Sequence, residues 1–407
     1  MTLFKWLTAG VIALIYAGIA IGRVPRLRMN RATIALVGAA LLIAMGAISE
    51  NQAFAAIDLG TLTLLFAIMI INVNLRLAGF FQWIGDRVLR LAHSPRALLA
   101  VLIAASGVLS ALFLNDPICV LFAPLVIELT GRAKRDPIPY LLALALSANV
   151  GSVATITGNP QNLLIGQASH IPYTTFLLYL GPVALIGLVI CWIALIIAFP
   201  DEFRANTLLT QVDLAPPRVY RPLLIRSLLV VAGLLIAFLS GLPIAAAALA
   251  AAGLLLVSRL RPSKLLRLDW DLLAFFGGLF MVTGAIESSG LSDKLFALIM
   301  PMLQHGVLPL TIITSILSNL VSNVPAVLLL RPEISQMSNP TQAWLTLAMA
   351  STLAGNFTLL GSVANLIVAE SAAQRGVKVT FQAYLRVGVP VTILTIAVGV
   401  FWLSAIN

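Results

Sequence analysis

Apolar residues run along this chain in long blocks separated by short polar connections. The blocks lack the polar face that a surface helix of a soluble protein would show. They fall near 7–22, 32–49, 58–75, 138–168, 173–199, 222–240, 243–258, 270–289, 341–373 and 384–405. Two further apolar stretches are broken in the middle: 97–130 at Asn115-Asp116-Pro117, and 306–332 at Ser322-Asn323-Val324-Pro325. Reading both as re-entrant hairpins leaves ten crossings, five in each half. The expected fold is an all-α polytopic membrane protein.

The breaks repeat. Leu109-Ser110 through Asn115-Asp116-Pro117 returns 208 residues later as Leu317-Ser318 through Asn323-Val324-Pro325. Thr155-Ile156-Thr157-Gly158-Asn159-Pro160-Gln161-Asn162 is echoed by Thr358-Leu359-Leu360-Gly361-Ser362-Val363-Ala364-Asn365. A hairpin followed by a broken helix, twice in the same order, points to the midplane binding site of a secondary transporter. Residues 1–200 form the first repeat, with its hairpin at 97–130 and broken helix at 138–168. Residues 222–407 form the second, with its hairpin at 306–332 and broken helix at 341–373, and 201–221 is the cytoplasmic linker. Five crossings per half make the repeats inverted. The stretches 77–94 and 291–304 precede the hairpins, and Trp83, Asp86, Arg87 and Arg90 give the first an interfacial character.

Composition agrees with this pattern: 60% of residues are hydrophobic and 10% charged. The net charge of +10 would suggest nucleic acid, but its placement is topological. Under the ten-crossing assignment 22 of the 25 Lys and Arg residues fall on one side, leaving Lys5, Lys294 and Arg331 on the other. The rich side is then cytoplasmic, and both termini are extracytoplasmic. Nucleic acid is not an expected partner. The run at 7–22 lacks a cleavage site and reads as a retained helix. Cys119 and Cys191 lie in apolar segments and suggest no disulfide framework. His93, His170 and His305 show no metal spacing, so no metal and no cofactor is expected.

In hydrocarbon an interrupted helix survives only where protein or a water-filled cavity covers its free backbone groups. Pro117 and Pro325 suit the first turn of a descending helix, whose N-terminal end presents N–H groups and a positive dipole end. Gly158-Asn159-Pro160 and Gly361-Ser362-Val363 each end one half-helix and start another. Candidate binding groups are Asn115, Asn159, Asn162, Asn323 and Asn365, with the hydroxyls of Thr155, Thr157, Ser322, Thr358 and Ser362 and the backbone at Gly158 and Gly361. Asp116, matched by Val324, is an intramembrane carboxylate: a cation ligand, a proton carrier, or a cap on its own helix. Glu287 is a weaker coupling candidate. No Lys or Arg occurs in 109–124, 147–166, 317–330 or 351–368, which leans against citrate-sized polyanions.

Leu114-Asn115-Asp116-Pro117 with Val120-Leu121-Phe122-Ala123-Pro124 resembles the first hairpin of the arsenite permease family. Gly151-Ser152-Val153-Ala154-Thr155-Ile156-Thr157-Gly158-Asn159-Pro160-Gln161-Asn162 is similar to the broken-helix signature of the wider ion-transporter superfamily. That superfamily includes the D-type sodium/proton antiporters and the divalent-anion/sodium symporters. Ser322-Asn323-Val324-Pro325 resembles the symporters' Ser-Asn-Thr motif, with Val in place of Thr. The resemblance implies a scaffold that often forms a homodimer and a moving domain carrying the breaks. It also implies a cation held by Asn115, Thr155 and Gly158 in one half and by Asn323, Thr358 and Gly361 in the other. The expected function is a non-enzymatic secondary transporter of the bacterial inner membrane, set in lipid. It moves a small inorganic ion or a metalloid oxyanion such as arsenite or antimonite, coupled to H+ or Na+ with proton coupling favoured. A sodium/proton antiporter, a sodium-coupled anion symporter and, from another class, an ion channel stay open. A peripheral ATPase subunit is neither implied nor excluded.

Overall fold

The computed structural model describes residues 3–24, 29–91, 93–204, 219–257, 268–290, 301–303 and 305–405. Most of the linker and of the 291–304 stretch lie outside these residues, as do Arg26, Arg28, Arg218, Arg259, Arg261, Lys264, Arg267 and Lys294. The regular structure of the described residues is helical except for one two-stranded ribbon.

The first part comprises α1 (Leu3–Ile21), the ribbon β1 (Arg23–Val24) with β2 (Met29–Asn30), α2 (Arg31–Ala44), α3 (Glu50–Ala55), α4 (Leu59–Ala78) and α5 (Phe80–Leu91). The ribbon is antiparallel, with Arg23 opposite Asn30. Then come α6 (Pro95–Leu112), α7 (Asn115–Arg132), α8 (Pro137–Ser152), α9 (Pro160–Ser169), α10 (Tyr173–Ala198) and α11 (Pro200–Arg204). The second part comprises α12 (Arg221–Leu239), α13 (Ile244–Leu256), α14 (Trp270–Ser288), α15 (Val307–Val321), α16 (Asn323–Ile334), α17 (Pro340–Ala354), α18 (Val363–Ala373) and α19 (Phe381–Ala405).

Each sequence break is a helix boundary. Leu112 and Asn115 bracket the first hairpin tip, and Val321 and Asn323 the second; in each case the two limbs pack on each other. The broken helices stop earlier than Gly158-Asn159-Pro160 suggests, because α8 ends at Ser152 and the turns begin at Val153. The element order of α6–α10 recurs in α15–α19, and the last helix of each set carries an internal proline, Pro182 or Pro390. These two helices, 26 and 25 residues long, pack together.

Among the described helices, seven are long and apolar enough to cross a bilayer: α1, α4, α6, α10, α12, α14 and α19. Others in the ten-crossing reading are short. At about 1.5 Å per residue, the 14 residues of α2 and the 16 of α8 fall short of the roughly 30 Å hydrocarbon core. α6, read as a hairpin limb, is itself of spanning length.

The core is built around α8 and α17. Every residue from Pro139 to Ser152 is buried, and so is every residue from Ala343 to Ala354. Both helices are enclosed all round, and polar side chains they bury, such as Asn149 and Thr352, are hydrogen-bonded within the core. Small residues allow the close approach: a Cβ at Gly151 would collide with the Gly107 backbone of α6. The two halves also exchange contacts, with α9 packing on α16 and α17, and α18 on α7 and α8.

Candidate functional site

The hairpin tips and the starts of α9 and α18 meet around one cavity of about 730 Å³. Asn115, Asp116 and Pro117 line it from α7, Ser322, Asn323 and Val324 from the second tip, Pro160 and Gln161 from α9, and Ser362 and Val363 from α18. The opposite wall carries Asn30 and Arg31 of the ribbon and α2, Asn72 and Arg76 of α4, and Asp269 and Asp271 at the start of α14. Asn30 Nδ2 donates to Asp271 Oδ2 at 2.9 Å and Asp269 caps α14 through Leu272 N–H. Burial lifts the Asp269 carboxyl above its ordinary value.

Of the four helix starts at the breaks, three have no side-chain cap: α7 after Leu114, α16 after Ser322 and α18 after Ser362. Asn115 N–H is taken by Gly158 O and Pro117 and Pro325 carry no N–H, which leaves the first-turn N–H groups of Asp116, Asn323 and Val324 and those of α18 for a ligand. α9 is the exception, with the Asn159 side chain accepting from Asn162 N–H at 2.8 Å. Asp116 caps nothing: among the described residues its side chain makes no hydrogen bond or ion pair, so the helix-cap reading is set aside.

Buried amide groups without partners gather here. Asn115 Oδ1, Asn323 Oδ1 and both polar atoms of Asn72 are buried and bond to no protein group. A buried polar atom left open costs about 1–3 kcal/mol. Three such side chains on one cavity mark where a ligand supplies the missing bonds. At the second tip Ser322 adopts φ 80° and ψ 159°, a region that costs a non-glycine residue about 1–3 kcal/mol. Stored strain of this kind gathers at functional sites.

The other candidates hold the breaks in shape. Asn162 Nδ2 donates to Ser152 O at 3.1 Å and Thr155 O at 3.0 Å, and Asn365 Nδ2 to Gly355 O at 2.9 Å and Thr358 O at 3.3 Å. Thr155 and Thr157 donate to Ala111 O at the end of α6. Gly158 O accepts from Asn115 N–H at 3.0 Å, and a Cβ at Gly158 would strike the Ser152 backbone. Gly361 lies against Gly355 O and Asn319. Asn159 Nδ2 reaches Ser152 Oγ at 3.0 Å and Thr352 Oγ1 at 3.1 Å. None of these groups lines the cavity, and Glu287 is exposed and outside it.

Sequence reasoning passed over the groups that join the halves. Asn149 Oδ1 accepts from Asn115 Nδ2 at 2.8 Å and Ser362 Oγ at 3.1 Å, while its Nδ2 donates to Asn356 Oδ1 at 2.8 Å and Asn365 Oδ1 at 3.2 Å. Thr352 Oγ1 accepts from Asn159 and Gln161. Arg31, read only as a topological charge, lines the cavity, as does Arg76. The cavity therefore carries two cationic groups although the break segments have none.

Helices interrupted in pairs, uncapped helix starts around one cavity, and a core spanning both halves define a secondary transporter embedded in the membrane. The chain belongs to the family described as citrate transporters (CitMHS), whose profile it matches over residues 12–354, and so to the ion-transporter superfamily. It is 33% identical to the silicon efflux transporter LSI3 of Oryza sativa subsp. japonica, over 94% of each chain. It is 28% identical to a 46 kDa membrane protein of Mycobacterium leprae, over 92% of this chain and 94% of that one. To the putative transporter arsB of Dictyostelium discoideum it is 24% identical, over 92% and 87%. The YdaH transporter of Alcanivorax borkumensis shares the fold at TM-score 0.56 and 16% identity, covering 99% of this chain and 96% of the other.

Proposed function

We propose that the protein moves a small inorganic oxyacid or ion, of the arsenite or silicic acid kind, by alternating access with proton coupling through Asp116. The observation that carries this reading is the unbonded Asp116 carboxylate beside the open Asn115 and Asn323 oxygens, within one cavity shared by both repeats. An intramembrane carboxylate without a structural partner is a functional group by default. The charges lining the cavity are two arginines against the four carboxylates of Asp116, Asp269, Asp271 and Glu370. That balance disfavours a polyanion such as citrate, whatever the family's name. The relatives named for silicon and for arsB support a metalloid substrate.

The repeats are inverted in this reading, and the side rich in Lys and Arg is cytoplasmic. Arg31, Arg76 and Asp269, all assigned to that side, line the cavity together with the hairpin tips, which supports reading this conformation as inward-facing.

A second reading has one specific support. The open Asn115 and Asn323 carbonyl oxygens suit a sodium ion, as in a sodium-coupled symporter or a sodium/proton antiporter. Proteoliposome flux of arsenite, silicic acid and citrate, each under a pH or a sodium gradient, separates the two. Flux of an oxyacid that needs the pH gradient and is lost in Asp116→Asn is the expected result. Flux that needs sodium and survives this substitution assigns the protein to the sodium-coupled branch.

A further inference from the structure

Arg31 is held in a fixed position. It is the first residue of α2, and its Nε donates to Ile19 O at 3.1 Å, near the end of α1. Among the described residues its terminal nitrogens donate to no acceptor. A cation at a helix N-terminus adds to the positive dipole end instead of offsetting it, so this placement opposes helix stability. Arg31 nevertheless lines the cavity.

Across from it stands Asp116. Both line the one cavity, yet no ion pair joins them. They belong to different packing groups, since α2 packs on α1 and α14 whereas α7 packs on α8 and α18. Asn72, 6% exposed and open at both polar atoms, lines the same space. A guanidinium only donates hydrogen bonds, and an ionised carboxylate only accepts them. A ligand bridging the gap must therefore offer an oxygen to one wall and an O–H to the other. A bare cation is repelled by Arg31, and a fully ionised polyanion has no proton for Asp116 and meets Asp269 and Asp271 as well.

We infer that Arg31 and Asp116 form a two-point selector for neutral oxyacids carrying several hydroxyl groups, with Arg31 the specificity-determining residue. Arg31 donates to a substrate oxygen, a substrate hydroxyl donates to Asp116, and Asn72 can do either. This inference rests on the oxyacid-transporter reading above and names the group that makes the choice.

The test is binding by the full-length protein in detergent, read as ligand-induced thermal stabilisation, with arsenous acid and germanic acid as neutral probes and citrate as the polyanion. Wild type, Arg31→Gln, Asp116→Asn, the double variant and Arg31→Lys are compared at matched ligand-free melting points. Arg31→Lys also serves if the Gln variant fails to fold. Affinity for the neutral probes is expected to fall about tenfold in either single variant. The double variant is expected to lose little more, because one ligand spans both groups. Wild-type affinity in Arg31→Gln, fully additive losses, or a wild type that binds citrate best or binds neither neutral probe overturns the selector. Unchanged oxyacid flux in Arg31→Gln proteoliposomes removes Arg31 and leaves the transport reading intact. Absence of saturable oxyacid flux in wild type removes that reading itself.

Discussion

Asn162 and Asn365 make the same two hydrogen bonds in the two halves, each amide donating to the carbonyls ten and seven residues before it. The carbonyls belong to Ser152 and Thr155 in the first half and to Gly355 and Thr358 in the second. Ser152 O and Gly355 O lie where a half-helix ends and leaves carbonyls unpaired, while Thr155 O and Thr358 O sit in the turn beyond and also accept from Gly158 and Gly361 N–H. One side chain thus closes each break from within, and both asparagines are fully buried. Asn162→Asp keeps the shape but exchanges a donor for a carboxylate facing two carbonyls. A loss of stability of about 1–3 kcal/mol is expected: Thr155 O keeps its bond from Gly158 N–H, and Ser152 O keeps only the long bond from Asn159 Nδ2. Thermal unfolding in detergent measures it. A variant that melts like wild type and loses only ligand affinity would return Asn162 to the binding site.

Asn149 is the junction between the halves, with Asn115, Ser362, Asn356 and Asn365 all bonded to one amide. A satisfied buried network specifies one arrangement, and a partly satisfied one is costly. Asn149→Leu leaves several polar partners open and is expected to cost about 3 kcal/mol. The Asn149→Ala, Asn356→Ala double variant is expected to cost less than the two single losses together, because the pair is coupled. Denaturant titration of the four proteins gives the coupling, and strict additivity would mean that the network is a set of independent bonds.

Ser322 stores strain that glycine relieves. Its φ of 80° is open to glycine without a Cβ penalty. Ser322→Gly is expected to raise stability by about 1 kcal/mol or slightly more, whereas Ser322→Ala keeps the strain and gains nothing. The comparison of melting points checks this. Equal melting points for all three proteins would place the strain elsewhere in the tip.

The sequence made the architecture of the breaks legible because the physics is local: Pro117, Pro325 and Pro160 fix helix starts, and Gly158 permits the turn. It also exposed Asp116, since a carboxylate in an apolar run has few structural explanations. It hid what depends on a partner from the other half. Asn149 lies in an unremarkable helical run, Ser147-Ala148-Asn149-Val150, and only the packing of the second broken helix on α8 shows three of its four partners. Arg31 looked like a topological charge because the ribbon that leads into α2 has no sequence signature. Asn72 is the omission that a closer reading avoids: two asparagines in Ile71-Asn72-Val73-Asn74 interrupt an otherwise apolar run. The division of labour among the break residues was not readable either. Asn162 and Asn115 look alike in sequence, yet one turns to backbone carbonyls and the other to the cavity.

Asp58 does two jobs at the start of α4, and substitutions can separate them. Its Oδ1 accepts from Thr61 N–H at 2.9 Å, capping the helix, and its Oδ2 meets Arg331 Nη1 at 3.2 Å on the second limb of the distal hairpin. Arg331 is 38% exposed, so solvent screens the pair and its worth is at most about 1 kcal/mol. The cap is worth about 1 kcal/mol on its own. Asp58→Asn keeps a side-chain oxygen for Thr61 and removes only the charge, so it is expected to be close to neutral, as is Arg331→Gln. Asp58→Ala removes both and is expected to cost about 1 kcal/mol more than Asp58→Asn. Melting points at low and high salt check the assignment, because screening weakens the ion pair and leaves the cap untouched. If Asp58→Asn already costs as much as Asp58→Ala, and salt removes the difference from wild type, the ion pair and not the cap holds α4 to the hairpin limb.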